Sequence, residues 1–241
     1  MANSSQLPKG FFITGTDTGV GKTVVTVCLL HHFKNLGIQA GAMKPVETGV
    51  IINGKESDSE FLIRVGNLDD SIEDVSPYRL RAPAAPLIAG QMENISIDTR
   101  RIQKSFKVLE QKHQTVLVEG IGGLLVPINE DYLVADLARD LALPLIVVSR
   151  PVLGTINHTL MTLESAKKQG VNVKGIVINH CSEDDGGEIQ EKSLEFIKAY
   201  SDVPVIGHLP WFPNIIPDIS TKSFIKKLGE SLSSEKLLHV S

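Results

Sequence analysis

Gly15-Thr16-Asp17-Thr18-Gly19-Val20-Gly21-Lys22-Thr23 is the stretch whose reading decides the fold. It follows the apolar run Phe11-Phe12-Ile13-Thr14, which reads as a strand ending at Gly15. It opens a helical pattern over 22–36, with Val25, Leu29, Leu30 and Phe33 near one face and a stop at Asn35-Leu36-Gly37. A glycine-rich turn between strand and helix suits phosphate, because glycines let backbone N–H groups turn inward around its oxygens. The helix N-terminus adds partial positive charge. Lys22 is expected to bridge the β- and γ-phosphates and the Thr23 hydroxyl to ligate Mg2+. Five residues separate Gly15 from Gly21, one more than the strict pattern, and Thr16 stands at the consensus glycine position.

Outward from this loop, β-rich runs alternate with helical patterns. Strands are expected at 38–46, 115–119, 144–149, 173–179 and 203–207. Helices are expected after Asp58 and at 99–111, 133–141, 155–169, 188–200 and 221–232. Residues 47–57 read as a loop, and 76–86, with three prolines, as not regular throughout. Continuous apolar strands between helices predict an α/β fold: one mainly parallel sheet covered on both faces, in a single domain over residues 1–241. Ligands in such sheets bind at the carboxyl ends of the strands.

Other candidate residues fall at those ends. Lys44, in Ala42-Met43-Lys44-Pro45, is a solvated surface charge or a second catalytic lysine beside Lys22. Two ammonium groups ~4 Å apart at an effective dielectric of ~20 repel by roughly 4 kcal/mol, and a polyphosphate between them reverses the sign. Glu56-Ser57-Asp58 reads as a solvated turn, a helix N-cap or part of a metal shell. Val116-Leu117-Val118-Glu119-Gly120-Ile121-Gly122-Gly123 puts an acid at the tip of an apolar strand, where a Mg2+ or a hydrogen-bond partner would hold it. Asn179 is able to donate to and accept from an adenine edge, and Leu209-Pro210-Trp211 beyond the last strand to frame the base; either is also an ordinary strand-ending turn.

Bulk properties exclude several classes. The chain has 241 residues, 42% apolar and 22% charged, with net charge −4. That balance argues against a general nucleic-acid binder. No run approaches the ~20 apolar residues of a membrane span, and the N-terminus has no signal-like core, so a cytoplasmic protein is expected. Cys28 and Cys181 lie in no CxxC or Cys/His spacing, and Cys28 reads as a small apolar helix residue.

Together these segments resemble the dethiobiotin synthetases. The matching stretches are 15–23, Lys-Pro-Val-Glu-Thr-Gly at 44–49, Ser-Asp at 57–58 and Val-Glu-Gly-Ile-Gly-Gly at 118–123. Leu-Gly-Thr-Ile-Asn-His at 153–158, Asn179 and Gly-His-Leu-Pro-Trp at 207–211 complete the set, spanning about 11–213. The family's phosphate loop carries the same extra residue. The resemblance implies the P-loop NTPase fold and Mg-ATP-dependent closure of 7,8-diaminononanoate with CO2 to dethiobiotin, ADP and phosphate. It implies Lys22 and Lys44 as catalytic residues and Thr23, Asp58 and Glu119 as Mg2+ ligands. Gly19, Val20, Gly21, Lys22 and Thr23 would cradle the phosphates, and Val24, Gly120, Gly122, Asn179, Leu209, Pro210 and Trp211 would join the ATP site. Thr18 and Thr48 would meet the substrate, and Leu153, Gly154 and Asn157 its distal carboxylate across a homodimer. Gly19 is a Glu in some members, so that side chain's contacts do not carry over. Two rivals share the phosphate loop. One is an ATPase switch acting through a protein partner. The other is an amide-forming synthetase, which would usually carry a further domain with a nucleophilic Cys that has no counterpart here.

Overall fold

The computed structural model describes residues 7–51, 54, 56–213 and 221–238. Among them, six strands form one parallel sheet: β1 (Gly10–Gly15), β2 (Ala40–Met43), β5 (Thr115–Glu119), β8 (Leu145–Ser149), β9 (Val173–Asn179) and β10 (Val205–Leu209). Their order is β10-β9-β8-β1-β5-β2. The sheet is parallel throughout, as its uninterrupted apolar runs predict.

Burial on both faces follows from the alternation of side chains along a strand. Phe11 and Ile13 of β1 join a core with Val25, Leu29 and Phe33 of α1 (Lys22–Asn35) and with Phe224 and Leu228 of α9 (Lys222–Ser231). Phe12, between them, joins the opposite core with Ile102, Phe106 and Leu109 of α5 (Thr99–Lys112) and Leu137 of α6 (Val134–Asp140). A third cluster ties β8 and β9 to α7 (Thr155–Lys168) and α8 (Glu188–Tyr200) through Val147, Leu163, Ile178 and Ile197. A short α10 (Ser234–Leu238) closes the described chain. No helix among the described residues is long and apolar enough to cross a membrane.

Most elements expected from periodicity form within two residues of their expected ends, and the differences have local causes. The expected strand over 38–46 is broken: β2 stops at Met43 and a separate β3 (Val46–Thr48) pairs in parallel with β4 (Tyr78–Leu80). Pro45 has no N–H for a ladder, and Lys44 N–H is taken by Val75 O at 2.7 Å, from α3 (Ile72–Val75). Residues 47 and 48 are therefore strand, not loop. The stretch read as not regular throughout, 76–86, holds β4, and at its last residue begins α4 (Pro86–Glu93), whose Pro86 at the first turn and internal Gly90 disguise a helix. β6 (Pro127–Asn129) and β7 (Tyr132–Leu133), a small antiparallel pair, carry no alternation long enough to read. The last strand lies two residues later than expected, so His208 and Leu209 belong to β10 and not to the turn beyond it. Its register is set by pairing of Gly207–Leu209 with Val177–Asn179.

Candidate active site

The phosphate loop leaves the centre of the sheet, where β1 lies between β5 and β8. Thr16 N–H donates to Val148 O at 3.0 Å, fastening the loop's start to β8. Gly19 and Gly21 take φ of 76° and 86°, the left-handed region that glycine enters without penalty. Gly21 is the N-cap of α1 and is required twice over, since a Cβ there would lie 2.1 Å from Asn179 Nδ2. That Nδ2 donates to Val20 O at 3.0 Å, so the end of β9 braces the loop from outside. Lys22, 7% exposed, folds back to give Nζ to Asp17 O at 3.2 Å. Burial first, and the Lys44 charge second, hold its ammonium below the usual lysine range. A bound polyanion would relieve both.

Lys44 and Glu119 meet because β2 and β5 are neighbours. Met43 is in register with Val118, so Lys44, directly after β2, stands beside Glu119, the last residue of β5. Lys44 Nζ lies 2.5 Å from Glu119 Oε1 and 3.1 Å from Asp58 Oδ2. The Lys44 and Glu119 side chains are 5% and 0% exposed. Burial alone would lower the Lys44 pKa, but Glu119 and Asp58 overcome it and raise it. Asp58 opens α2 (Asp58–Gly66), whose N-cap Ser57 forms a capping box with Glu60. The N-cap and metal-shell readings thus fall on adjacent residues, Ser57 and Asp58.

Thr23 Oγ1 donates to the same Glu119 Oε1 at 2.8 Å, and Glu119 Oε2 is buried without a partner among the described residues. An orphaned carboxylate oxygen beside a hydroxyl and a second carboxylate makes a hard, oxygen-only donor set. This fits Mg2+, which takes one or two carboxylates and fills its remaining positions with water and substrate phosphates. Among the described residues no group of three or more His, Cys, Asp and Glu is placed to hold a metal ion.

These groups line one cleft of about 400 Å3. Thr18, Gly19, Gly21, Lys22, Thr23, Val24, Lys44, Thr48, Asp58, Glu119 and Gly122 border it. Val20 and Gly120 sit behind them, Val20 in the core and Gly120 directly after β5. Asn179 reaches the loop through Val20, but it does not border the cleft, nor do Leu209, Pro210 and Trp211. Leu209 is buried in the core and Trp211 is 37% exposed. Leu153, Gly154 and Asn157 stand exposed at the start of α7 and do not meet the phosphate cleft within one chain. Cys28 is buried in the core, where burial pushes its thiol pKa up to about 12.

Two cleft residues had no role assigned from sequence. Ile121 borders the cleft through the turn after Glu119. Glu47, 4% exposed, accepts from Ser59 Oγ at 2.6 Å and Ser59 N–H at 3.3 Å, tying β3 to the first turn of α2. Its place in the stretch 44–49 was the available signal. The partner Ser59 could not be read, because it depends on how β3 packs against α2.

A phosphate loop at the centre of a parallel sheet, with a lysine and an acid joined at neighbouring strand ends, places the chain among the P-loop nucleotide-binding α/β proteins. A family profile described as an AAA domain matches residues 9–218. The solved cell-division ATPase MinD of Pyrococcus furiosus has the same fold, with a TM-score of 0.53 at 19% identity over 92% of this chain and 97% of that one. Sequence relatives narrow the class. The ATP-dependent dethiobiotin synthetase of Thermodesulfovibrio yellowstonii is 42% identical over 228 residues, covering 90% of this chain and 95% of the relative. That of Methanocaldococcus jannaschii is 42% identical over 200 residues, covering 81% and 91%. The chain belongs to the ATP-dependent dethiobiotin synthetase family.

Proposed function

We propose that this enzyme uses ATP to close 7,8-diaminononanoate and CO2 into dethiobiotin, with ADP and phosphate as products. The observation that carries the reading is the convergence of Lys22, Lys44, Thr23, Asp58 and Glu119 on one cleft. One amine of the diamine adds to CO2 and loses a proton, giving a carbamate anion. A carbamate oxygen attacks the γ-phosphorus and ADP leaves, forming a carbamic-phosphoric anhydride. The second amine then attacks the carbonyl carbon, phosphate departs, a proton is lost and the five-membered urea closes. No enzyme nucleophile is needed.

Phosphoryl transfer between anions asks the protein mainly for positive charge and positioning. Lys22 serves the triphosphate, and Lys44 stands where the transferred group meets the carbamate. Thr23, Asp58 and Glu119 would hold Mg2+, which would neutralise charge on the phosphates. Thr18 and Thr48 border the cleft and suit the diamine end of the substrate. Asn179, with Leu209 to Trp211, serves the adenine side. Holding the second amine beside the activated carbon makes ring closure effectively unimolecular.

We assign Leu153, Gly154 and Asn157 to the substrate carboxylate of a second copy. Support comes from an apolar groove of about 360 Å3 that runs from Gly15 and Thr16 to Leu125, His158 and Met161. Leu125 and Met161, which line it, are exposed. A homodimer would cover it and bring the start of α7 to the partner's cleft. A cytoplasmic, single-domain enzyme completes the reading.

The test is direct. Enzyme, ATP, Mg2+ and bicarbonate are incubated with and without 7,8-diaminononanoate. The expected result is a dethiobiotin mass signal, with matching ADP release, only when the diamine is present. ATP hydrolysis indifferent to the diamine, with no product mass, would overturn the assignment.

A further inference from the structure

Arg150 lies outside the cleft, directly after β8, and has no part in the chemistry above. Its guanidinium donates Nε–H to Asp185 Oδ2 and Nη2–H to Asp185 Oδ1, both at 2.6 Å, and Nη2–H also reaches Ser182 Oγ at 3.3 Å. Asp185 ends a short 3-10 turn in the segment after β9. Its carboxylate, 3% exposed, accepts two further bonds, from Cys181 N–H at 2.7 Å and Ser182 Oγ at 2.9 Å. Burial pushes the Asp185 pKa up, yet these donors win and hold it at about 2. Fork-to-fork Arg–carboxylate pairs of this kind fix geometry as well as charge. Here the fixed element is the segment 181–185.

What that segment touches gives the clamp its meaning. Cys181 Sγ lies 3.3 Å from Asn179 Nδ2 and 3.7 Å from Gly19 O. Asn179 Nδ2 is also committed to Val20 O. The amide's donor end is therefore spent inside the protein. Its acceptor, Oδ1, is buried without a partner among the described residues. Buried polar atoms find partners, so an orphaned acceptor calls for a donor from a ligand. An amide turned this way accepts from the exocyclic amine of adenine and repels the O6 carbonyl of guanine, itself an acceptor.

We infer that Arg150 is a positioning residue for nucleotide discrimination. It acts through Asp185 and Cys181 to hold the Asn179 amide with its acceptor free, and so selects ATP over GTP. The inference rests on Asn179 meeting the base, as proposed above. Without the clamp, Cys181 and its neighbours move off Asn179. The amide then keeps only its bond to Val20 O, is held less tightly and presents its donor end more often.

The experiment compares wild type, Arg150→Met, Arg150→Lys and Asp185→Asn in steady-state assays with ATP and with GTP, and in ADP and GDP titrations by calorimetry. Circular dichroism melts identify the variants that are folded. Dethiobiotin formation by the wild type tests the proposed reaction separately from the clamp. The expected result is a roughly tenfold rise in KM for ATP and in Kd for ADP in Arg150→Met and Asp185→Asn. GTP and GDP should change by less than about twofold, with kcat nearly constant. Arg150→Lys, which keeps one charged donor, should recover part of the preference. The inference is overturned if the wild type prefers neither nucleotide, or if KM and Kd rise alike for adenine and guanine nucleotides or stay unchanged in folded variants. Should Arg150→Met not fold, Asp185→Asn and Arg150→Lys decide by the same ratio.

Discussion

At the scale of single residues, the structural role of the Lys44–Glu119 pair is separable from the catalytic role proposed for Lys44. Both side chains are buried, so removing the Lys44 charge leaves the Glu119 carboxylate without its ion-pair partner. Breaking such a pair costs about 3–5 kcal/mol, whereas neutralising both members is often near neutral. Lys44→Gln should therefore lose at least about 100-fold in turnover and melt well below wild type. The double variant Lys44→Gln/Glu119→Gln should regain most of the melting temperature and none of the turnover. Melts and single-turnover ADP release check this together; near-normal turnover in either variant removes Lys44 from the mechanism. The identities of Lys22, Lys44 and Glu119 were readable because each ends an apolar strand or opens a helix. The Asp58–Lys44 contact was not readable, since nothing local says which cation a helix-capping segment will meet.

At the scale of elements, the turn from β1 to α1 depends on glycine for two different reasons. A side chain at Gly19 meets nothing within 4 Å and suffers only the positive φ. At Gly21 the same φ penalty is joined by collision with Asn179 on β9. Gly19→Ala should cost about 1–2 kcal/mol of stability and Gly21→Ala distinctly more, ranked by denaturant melts without nucleotide. Equal losses would mean that β9 does not brace the loop. A second element-level feature joins the ends of β9 and β10, where His180 Nε2 and His208 Nε2 are 2.6 Å apart. One ring must donate and the other accept, so double protonation breaks the contact. Burial lowers both pKa values; the neighbouring His180 and Lys198 charges lower His208 further, while Glu191 and Asp185 oppose the shifts at His208 and His180 respectively. A folded-state pKa below the unfolded value of ~6.5 means the unfolded chain takes up protons first as pH falls. This stability is complete above ~6.5 and is lost as pH drops from there through the lowered folded values. His31 and His32 are shifted the same way. Melts from pH 7.5 to 5 should thus decline less steeply in His180→Gln/His208→Gln than in wild type, without becoming flat. Parallel curves would sink this account.

At the scale of the whole molecule, the open question of assembly has a physical handle. The groove beside the phosphate loop exposes Leu125 and Met161. A charge set into an apolar interface core is desolvated on association and opposes it. Light scattering should give about twice the chain mass for the wild type and a shift toward the single-chain mass for Met161→Lys. The variant should bind ADP normally and show a raised KM for the diamine, because the start of α7 no longer reaches a partner cleft. A wild type with the mass of one chain would overturn the dimer.

The sequence by itself determined the class of sheet, the phosphate loop and the strand-end acid. These are written locally, in apolar period, glycine spacing and the strand–turn–helix context. It also carried the family resemblance through stretches that lie far apart in the chain. Only the tertiary structure decided that Lys44 sits on Glu119, that Glu47 anchors Ser59 and that Arg150 grips Asp185. Those contacts join elements distant in sequence, and their geometry follows from strand order and register, which no local pattern of residues encodes. The broken strand at Lys44-Pro45 belongs with them, since the pairing of β3 with β4 depends on a segment some thirty residues further along the chain.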